Sequence, residues 1–131
     1  MNRWKDWLAQ SERDLSGAKV NLEAELYEWS CFLAQQAGEK AVKAICEKFF
    51  IECWGHSITK ILQKIAQNCN IPVPEEVIEA GKILDKYYIP TRYPNGFEEG
   101  IPGEYFTRKE AEEAISYAKT IYEFARKTLQ G

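Results

Sequence analysis

The sequence predicts an all-α fold, an antiparallel up-and-down bundle of four to five helices with one long loop before the last helix. Apolar residues recur at spacings of three and four along most of the chain, which is the period of an amphipathic helix. No segment alternates apolar and polar residues as a half-buried strand does. With 131 residues, no repeat and no linker, the chain is expected to be a single domain over residues 1–131.

The first two helices are predicted over residues 3–26 and 28–53. The first has a row of inward-facing positions at these spacings: Trp4, Leu8, Ser11, Leu15, Ala18 and Leu22. The matching row of the second is made of small residues, which let a neighbouring helix come close: Cys31, Ala34, Ala37, Ala41 and Ala44. Gly55 is expected to end the second helix in a left-handed conformation.

A third helix is predicted over residues 57–69 and a fourth over 74–88. The third carries apolar residues on one face: Ile58, Ile61, Leu62, Ile65 and Ala66. The fourth begins at Pro74, because proline is tolerated in a first helical turn and the two acids that follow it suit the positive end of the helix dipole. Pro90 disfavours the α conformation of the residue before it, which ends this helix.

Residues 89–106 are predicted to form a loop, since they contain three prolines and three glycines. A loop of this length inside a compact domain is more often functional than not. Thr107 and Glu110 have the spacing of a capping box and start a last helix over 107–129. Its inward stripe again follows the helical period: Ala111, Ala114, Ala118, Tyr122, Ala125 and Leu129.

Composition limits the classes of function. Apolar residues make up 45% of the chain, enough for a core, and the formal net charge is −3. Duplex nucleic acid is therefore an unexpected partner, because proteins that bind it usually present a basic surface. The absence of a long apolar run and the charged first residues predict a cytoplasmic protein that does not span a membrane.

The cysteine and histidine content argues against a metal site or a cofactor. Four cysteines occur without a C-x-x-C pair, so reduced and mostly buried thiols are expected. His56 is the single histidine. Cys53 lies three residues before it, which is not a pattern typical of a Cys–His nucleophile.

One candidate site is the polar face of the second helix. Gln36, Lys40 and Lys43 are four and three residues apart and so share a face. An amide and two ammonium groups could hold a phosphate or the carboxylate of a partner. The alternative is a solvated face on which Glu39 neutralises Lys43, and spacing alone favours that alternative.

The second candidate site surrounds Arg92, which lies between two X-Pro turns and close to Tyr88 and Tyr93. Asp85 could orient the guanidinium, leaving its edges and the tyrosine faces for an anionic, planar ligand. The alternative is that Arg92 fastens the loop to the bundle while the tyrosines close the core. The residues alone favour neither interpretation.

These stretches resemble the HEPN domain family, whose name abbreviates higher eukaryotes and prokaryotes nucleotide-binding. Residues 36–44, Gln-Ala-Gly-Glu-Lys-Ala-Val-Lys-Ala, are similar to the family's Gln-Ala-x-Glu-Lys-x-x-Lys-Ala core. Residues 56–62, 84–94 and 111–118 are similar to its later segments. Together the four blocks extend the resemblance over about residues 5–128.

The resemblance implies a helical bundle that pairs with a minimal nucleotidyltransferase and binds a nucleotide. We therefore expect a non-catalytic binding or interaction module, in a pair of the toxin–antitoxin type. We also expect a homodimer, because 17 aromatic residues are more than so small an interior can bury. The candidate nucleotide- or anion-binding residues are Arg92, Lys40, Lys43, Gln36, Tyr88, Tyr93 and Asp85.

Two alternatives remain open. Other members of the family are metal-independent ribonucleases with an Arg-x(4–6)-His motif after the fourth helix. Here Phe97, Glu98 and Glu99 occupy the histidine positions after Arg92, so a ribonuclease toxin with this degenerate motif would have to use His56 from another helix. The other alternative is a purely structural dimeric bundle without a ligand.

Overall fold

A computed structural model describes residues 2–131, which contain five α-helices and no strand. The helices are α1 (Trp4–Glu23), α2 (Tyr27–Lys48), α3 (Ile58–Cys69), α4 (Glu75–Asp85) and α5 (Arg108–Gln130). Two single 3-10 turns, Pro94–Gly96 and Pro102–Glu104, lie between α4 and α5. The predicted all-α class is confirmed. None of the helices in the described part of the chain is long and apolar enough to cross a membrane.

Helix α2 is the centre of the bundle and contributes more buried residues than any other helix. It packs most extensively against α1 and α5 and also contacts α3 and α4. The small residues predicted to face inward are all fully buried: Cys31, Ala34, Ala37, Ala41 and Ala44. Their size allows the backbones of neighbouring helices to approach α2 closely.

Two buried hydroxyl groups join α1 to α2. Ser11 Oγ donates to the carbonyl of Ala37 at 2.6 Å, and Ser30 Oγ donates to the carbonyl of Ala18 at 2.8 Å. Both serines are fully buried. Each hydroxyl thus satisfies its donor inside the core and fixes the register of the two antiparallel helices.

Helix α2 ends at Lys48, whereas the sequence had predicted that it would continue to residue 53. Phe50 takes a left-handed conformation with φ of 57°, and the amide of Ile51 donates to the carbonyl of Cys46 at 2.9 Å. This pattern is a Schellman motif with Phe50 in the place that glycine usually takes. Gly55 is left-handed as expected, with φ of 82°, but it lies in the following loop and does not cap the helix.

Two other helices are also shorter than predicted. Helix α1 ends at Glu23 rather than 26 because Glu25, with φ of 63°, closes a Schellman motif like that of α2. Helix α4 ends at Asp85 rather than 88, and the chain continues in turns. The start of α5 is confirmed, because Thr107 and Glu110 form the expected capping box.

Gly38 lies where α2 meets three other helices. A Cβ atom at this position would be 2.9 Å from Cδ1 of Ile58 in α3, 3.2 Å from Cδ1 of Leu84 in α4 and 3.4 Å from Cδ1 of Ile121 in α5. These three side chains are fully buried. The convergence of four helices therefore depends on the absence of a side chain at position 38.

We expect Gly38→Val to lower the free energy of unfolding by about 1–3 kcal/mol, because overpacking displaces buried side chains. The control is Ala9→Val at an exposed position of α1, where only the helix propensity of valine is lost, less than about 0.7 kcal/mol. Urea denaturation followed by circular dichroism measures both. Equal stability of the two variants would contradict the packing described at Gly38.

Candidate functional site

Five side chains from three parts of the chain meet at the surface, and we call them the Arg92 cluster. Phe32 lies on α2, His56 lies in the loop before α3, and Tyr88, Arg92 and Tyr93 follow α4. The Cζ atom of Arg92 is 4.5 Å from the ring centre of Phe32, 4.6 Å from that of Tyr88 and 5.0 Å from that of Tyr93. At these distances cation–π interactions hold the guanidinium against the three aromatic rings.

The charge of Arg92 has no carboxylate partner in residues 2–131. Its Nε atom donates to the carbonyl of Tyr88 at 2.9 Å, which orients the guanidinium plane. Its two terminal nitrogens make no hydrogen bond to a described residue. The fork of two N–H groups that recognises phosphate or carboxylate is therefore not used within the described chain.

Asp85 does not orient Arg92, so the expected pairing of these two residues is wrong. The Asp85 carboxylate instead accepts from the backbone amides of Ile58 at 2.7 Å and Thr59 at 3.1 Å, and from Ser57 Oγ at 3.0 Å. The first amides of a helix have no partner inside that helix, and they carry partial positive charge. Asp85 thus joins the end of α4 to the start of α3.

His56 is fixed on two sides. Its ring stacks on Tyr88 at a centre-to-centre distance of 4.3 Å, and its Nδ1 atom is 3.1 Å from Oε2 of Glu39. Gln35 donates from Nε2 to Glu39 Oε1 at 3.1 Å and to the carbonyl of His56 at 3.2 Å, and Lys43 Nζ donates to Glu39 Oε2 at 2.9 Å. Since His56 and Arg92 both contact the ring of Tyr88, the fold brings them close together.

The polar face of α2 is largely neutralised by acids of the same chain. Lys40 pairs with Asp14 of α1 and also donates to Gln36 Oε1 at 3.4 Å, while Lys43 pairs with Glu39. The side chain of Asp14 is 9% exposed and that of Glu39 is 7% exposed. Lys43 and His56 thus contact the same carboxylate, that of Glu39, whereas Lys40 connects α2 to α1.

Sequence reasoning did not include Phe32, Gln35 or Glu39 among the candidate site residues. A signal was present, because these three residues are three and four apart and Lys43 follows after another four, so all lie on one face of α2. Glu39 is nonetheless buried. Its burial follows from the tertiary packing of the loop that carries His56, which helix periodicity does not describe.

A groove of about 380 Å³ is lined in part by His56, and we call it the Trp54 groove. Its walls include Trp7 of α1, Lys43 of α2, Trp54 and His56 of the loop, and the Cys46–Cys53 pair. Trp54 is 83% exposed. His56 therefore belongs to both the groove and the Arg92 cluster.

Cys46 and Cys53 form a disulfide, which corrects the expectation of reduced thiols at these positions. In a helix continued to residue 53, their Cα atoms would be about 10 Å apart, too far for a bridge. The early end of α2 turns the chain back and brings them to 6.4 Å. The bonded Cys53 sulfur is not a free nucleophile beside His56. No group of three His, Cys, Asp or Glu side chains suited to a metal ion occurs in the described residues.

These features define a small helical-bundle domain with an arginine–aromatic–histidine site at its surface. The chain belongs to the HEPN domain family, which matches residues 4–128. The resemblance detected in the sequence is thereby confirmed.

Three solved structures share this fold. TT1696 from Thermus thermophilus is 43% identical, with a TM-score of 0.93 and coverage of 98% of this chain and 99% of that one. ST0689, an archaeal HEPN homologue, is 39% identical, with a TM-score of 0.81 and coverage of 96% and 97%. The HEPN domain protein tm0613 from Thermotoga maritima is 31% identical, with a TM-score of 0.78 and coverage of 95% and 98%.

One relative has a functional description in its name. "Putative toxin MJ1304" of Methanocaldococcus jannaschii is 27% identical over 133 residues, which cover 96% of this chain and 88% of the relative.

The four cysteines should differ in their reaction with iodoacetamide. Burial raises the pKa of Cys31 to about 12, so at pH 8.5 this thiol stays protonated as well as inaccessible. Without a reductant we expect labelling of Cys69 alone, because Cys46 and Cys53 are bonded and Cys31 is buried. This labelling should be slow, because burial also raises the pKa of Cys69. A reductant should add Cys53 and then Cys46, and only denaturant should add Cys31.

Mass spectrometry of labelled peptides measures these sites. The control is Cys53→Ser, in which Cys46 has lost its disulfide partner and should no longer need a reductant for labelling, while Cys31 should still require denaturant. Labelling of Cys53 in oxidised wild-type protein would contradict the disulfide.

Proposed function

We propose that this chain is a non-catalytic nucleotide-binding subunit of a toxin–antitoxin-type pair, whose partner is a minimal nucleotidyltransferase. The observation that carries the nucleotide-binding part is Arg92. Its guanidinium is oriented by three aromatic rings and a carbonyl, yet no described carboxylate neutralises it. A positive charge held in place in this manner is suited to an anionic ligand.

A nucleotide has the two chemical parts that the Arg92 cluster can recognise. The terminal nitrogens of Arg92 can donate a two-pronged hydrogen bond to a phosphate. Tyr93 is 47% exposed and the side chain of His56 is 52% exposed, so both offer ring faces on which a base can stack. Because the guanidinium is already oriented, binding loses little side-chain entropy there.

The toxin–antitoxin context is supported by the relative named "Putative toxin MJ1304", whose similarity extends over 96% of this chain. The nucleotidyltransferase partner is supported by the resemblance to small stand-alone HEPN proteins that pair with such an enzyme. In that pair this chain supplies the nucleotide- or substrate-binding surface, and the partner supplies the catalytic groups.

We expect Arg92→Ala to weaken nucleotide binding by about tenfold or more, since each charge-assisted contact contributes roughly 1.5–3 kcal/mol. Titration calorimetry with ATP and AMP measures the affinity, and circular dichroism should show an unchanged helical signal. Arg92→Lys should bind with intermediate affinity, because it keeps the charge and loses the planar fork.

The matched control is Arg13→Ala, which removes an exposed arginine of α1 outside the Arg92 cluster and should leave binding unchanged. If wild-type protein binds no nucleotide, the proposal is wrong. If Arg92→Ala unfolds the chain, Arg92 serves only to fasten the loop to the bundle.

A metal-independent ribonuclease is the second candidate, because the fold places His56 against the same tyrosine ring as Arg92. With Nδ1 donating to Glu39, Nε2 is left as the acceptor that a general base requires. Arg92 could then stabilise the charge that develops on the phosphate. His56 would take the part of the histidine that is missing after Arg92.

We expect no cleavage of single-stranded RNA by the purified chain in EDTA, because the histidine of the ribonuclease motif is absent. Gel analysis of a labelled RNA checks this, with Arg13→Ala protein as a preparation control. Cleavage by the wild type that is lost in both His56→Ala and Arg92→Ala would replace the non-catalytic proposal with the ribonuclease.

We propose a homodimer, supported by large apolar side chains that the single chain leaves exposed outside the Arg92 cluster and the Trp54 groove, among them Val20, Leu26, Trp29, Phe49, Ile89, Ile101 and Tyr105. Where such side chains form a contiguous patch, the patch usually marks an interface. Light scattering at micromolar concentration should give about twice the chain mass of 15.1 kDa. A monomer mass would be the contrary result. Co-purification of this chain with a minimal nucleotidyltransferase tests the proposed partnership.

A further inference from the structure

We propose that the Arg92 cluster and the Trp54 groove together bind a single-stranded oligonucleotide. One base lies at the Arg92 cluster and the neighbouring base lies in the Trp54 groove. The proposal rests on nucleotide binding at Arg92 and adds the length and strandedness of the ligand. It assigns a binding role to Trp54, which lies outside the residues that surround Arg92.

The two base positions are continuous through His56. One side of the histidine stacks on Tyr88 of the Arg92 cluster, and the residue also lines the Trp54 groove. Lys43 is held near it by Glu39, and its Nζ atom lies 6.0 Å from the ring centre of Trp7 in the groove. A phosphate that joins two bases would thus pass beside His56 and Lys43.

The Trp54 groove has the chemistry of a stacking site. Trp54 is 83% exposed and Trp7 is half-buried, so two indole rings border a groove of about 380 Å³. That volume falls within the range of small-molecule sites, roughly 300–1,000 Å³. Aromatic platforms of this kind bind successive bases of single strands without reading their sequence.

The wall of the groove is fixed before any ligand arrives. The Cys46–Cys53 disulfide ties the loop with Trp54 to the end of α2, and Gln35 holds the carbonyl of His56. A site that is already ordered binds at a lower entropic cost.

Charge contributes less than stacking in this groove. Lys43 is paired with Glu39, and Glu47 also lines the groove, so the surface is not strongly basic. The net charge of −3 agrees with a ligand held mainly by ring contacts. Binding should therefore depend only weakly on salt, in contrast to proteins that bind nucleic acid through many phosphates.

A length series tests the proposal by calorimetry: dAMP, the deoxyadenylate dinucleotide and the tetranucleotide. These ligands lack the 2′-hydroxyl and so cannot be cleaved by a ribonuclease that uses it. We expect the dinucleotide to bind about tenfold more tightly than dAMP, because one more base stacks. Trp54→Ala should remove this gain and leave the affinity for dAMP unchanged.

Phe50→Ala is the matched control, since Phe50 is 85% exposed in the same stretch of chain and does not line the Trp54 groove. It should keep the gain from the second nucleotide. Equal affinity for dAMP and the dinucleotide, or an equal loss in both variants, overturns the second base position while binding at Arg92 stands. Failure of dAMP and its oligonucleotides to bind the wild type overturns the oligonucleotide proposal, and nucleotide binding at Arg92 is then decided by the titrations with AMP and ATP.

Discussion

The close convergence of four helices at Gly38 is the constraint on which the rest of the structure depends. Without a side chain at this position, α2 can be approached at once by Ile58 of α3, Leu84 of α4 and Ile121 of α5. This approach places the loop before α3 and the segment after α4 against the same part of α2. The residue that follows, Glu39, then meets His56 of the first of these segments. The residue that allows the core to pack, Gly38, and the residue that contacts His56, Glu39, are thus neighbours in α2.

The buried carboxylate of Glu39 connects the core of the bundle to His56 at the surface. A carboxylate removed from water must be paired or hydrogen-bonded, and Gln35, Lys43 and His56 meet that need together. His56 is consequently held on Tyr88, where it adjoins Arg92. The two lysines that were candidates for anion binding pair with Asp14 and Glu39, whereas the guanidinium of Arg92 has no described carboxylate partner. The recognition that we propose, by one oriented cation and several aromatic rings, is compatible with a protein of net charge −3.

The recognisable motif of this family member divides into structural and candidate binding residues. Asp85 caps α3 and Lys40 pairs with Asp14, and both contacts join one helix to another. Tyr88 and Arg92 are half-buried in the Arg92 cluster, where the terminal guanidinium nitrogens have no hydrogen-bond partner among the described residues. We therefore expect substitutions in the first group to act through the fold and substitutions in the second group to act on the proposed binding site.

The sequence by itself determined the five helices, the buried stripe of small residues on α2, the capping box at Thr107 and the family, because each depends on spacings within one segment. It also indicated Arg92 and Tyr88. The tertiary structure decided that α2 ends at Lys48, that Cys46 meets Cys53, that Asp85 of α4 caps α3 and that His56 meets Glu39. These contacts join separate segments of the chain. Their partners are selected only when the helices pack, since burial then requires each charge and each backbone amide to find a partner within reach.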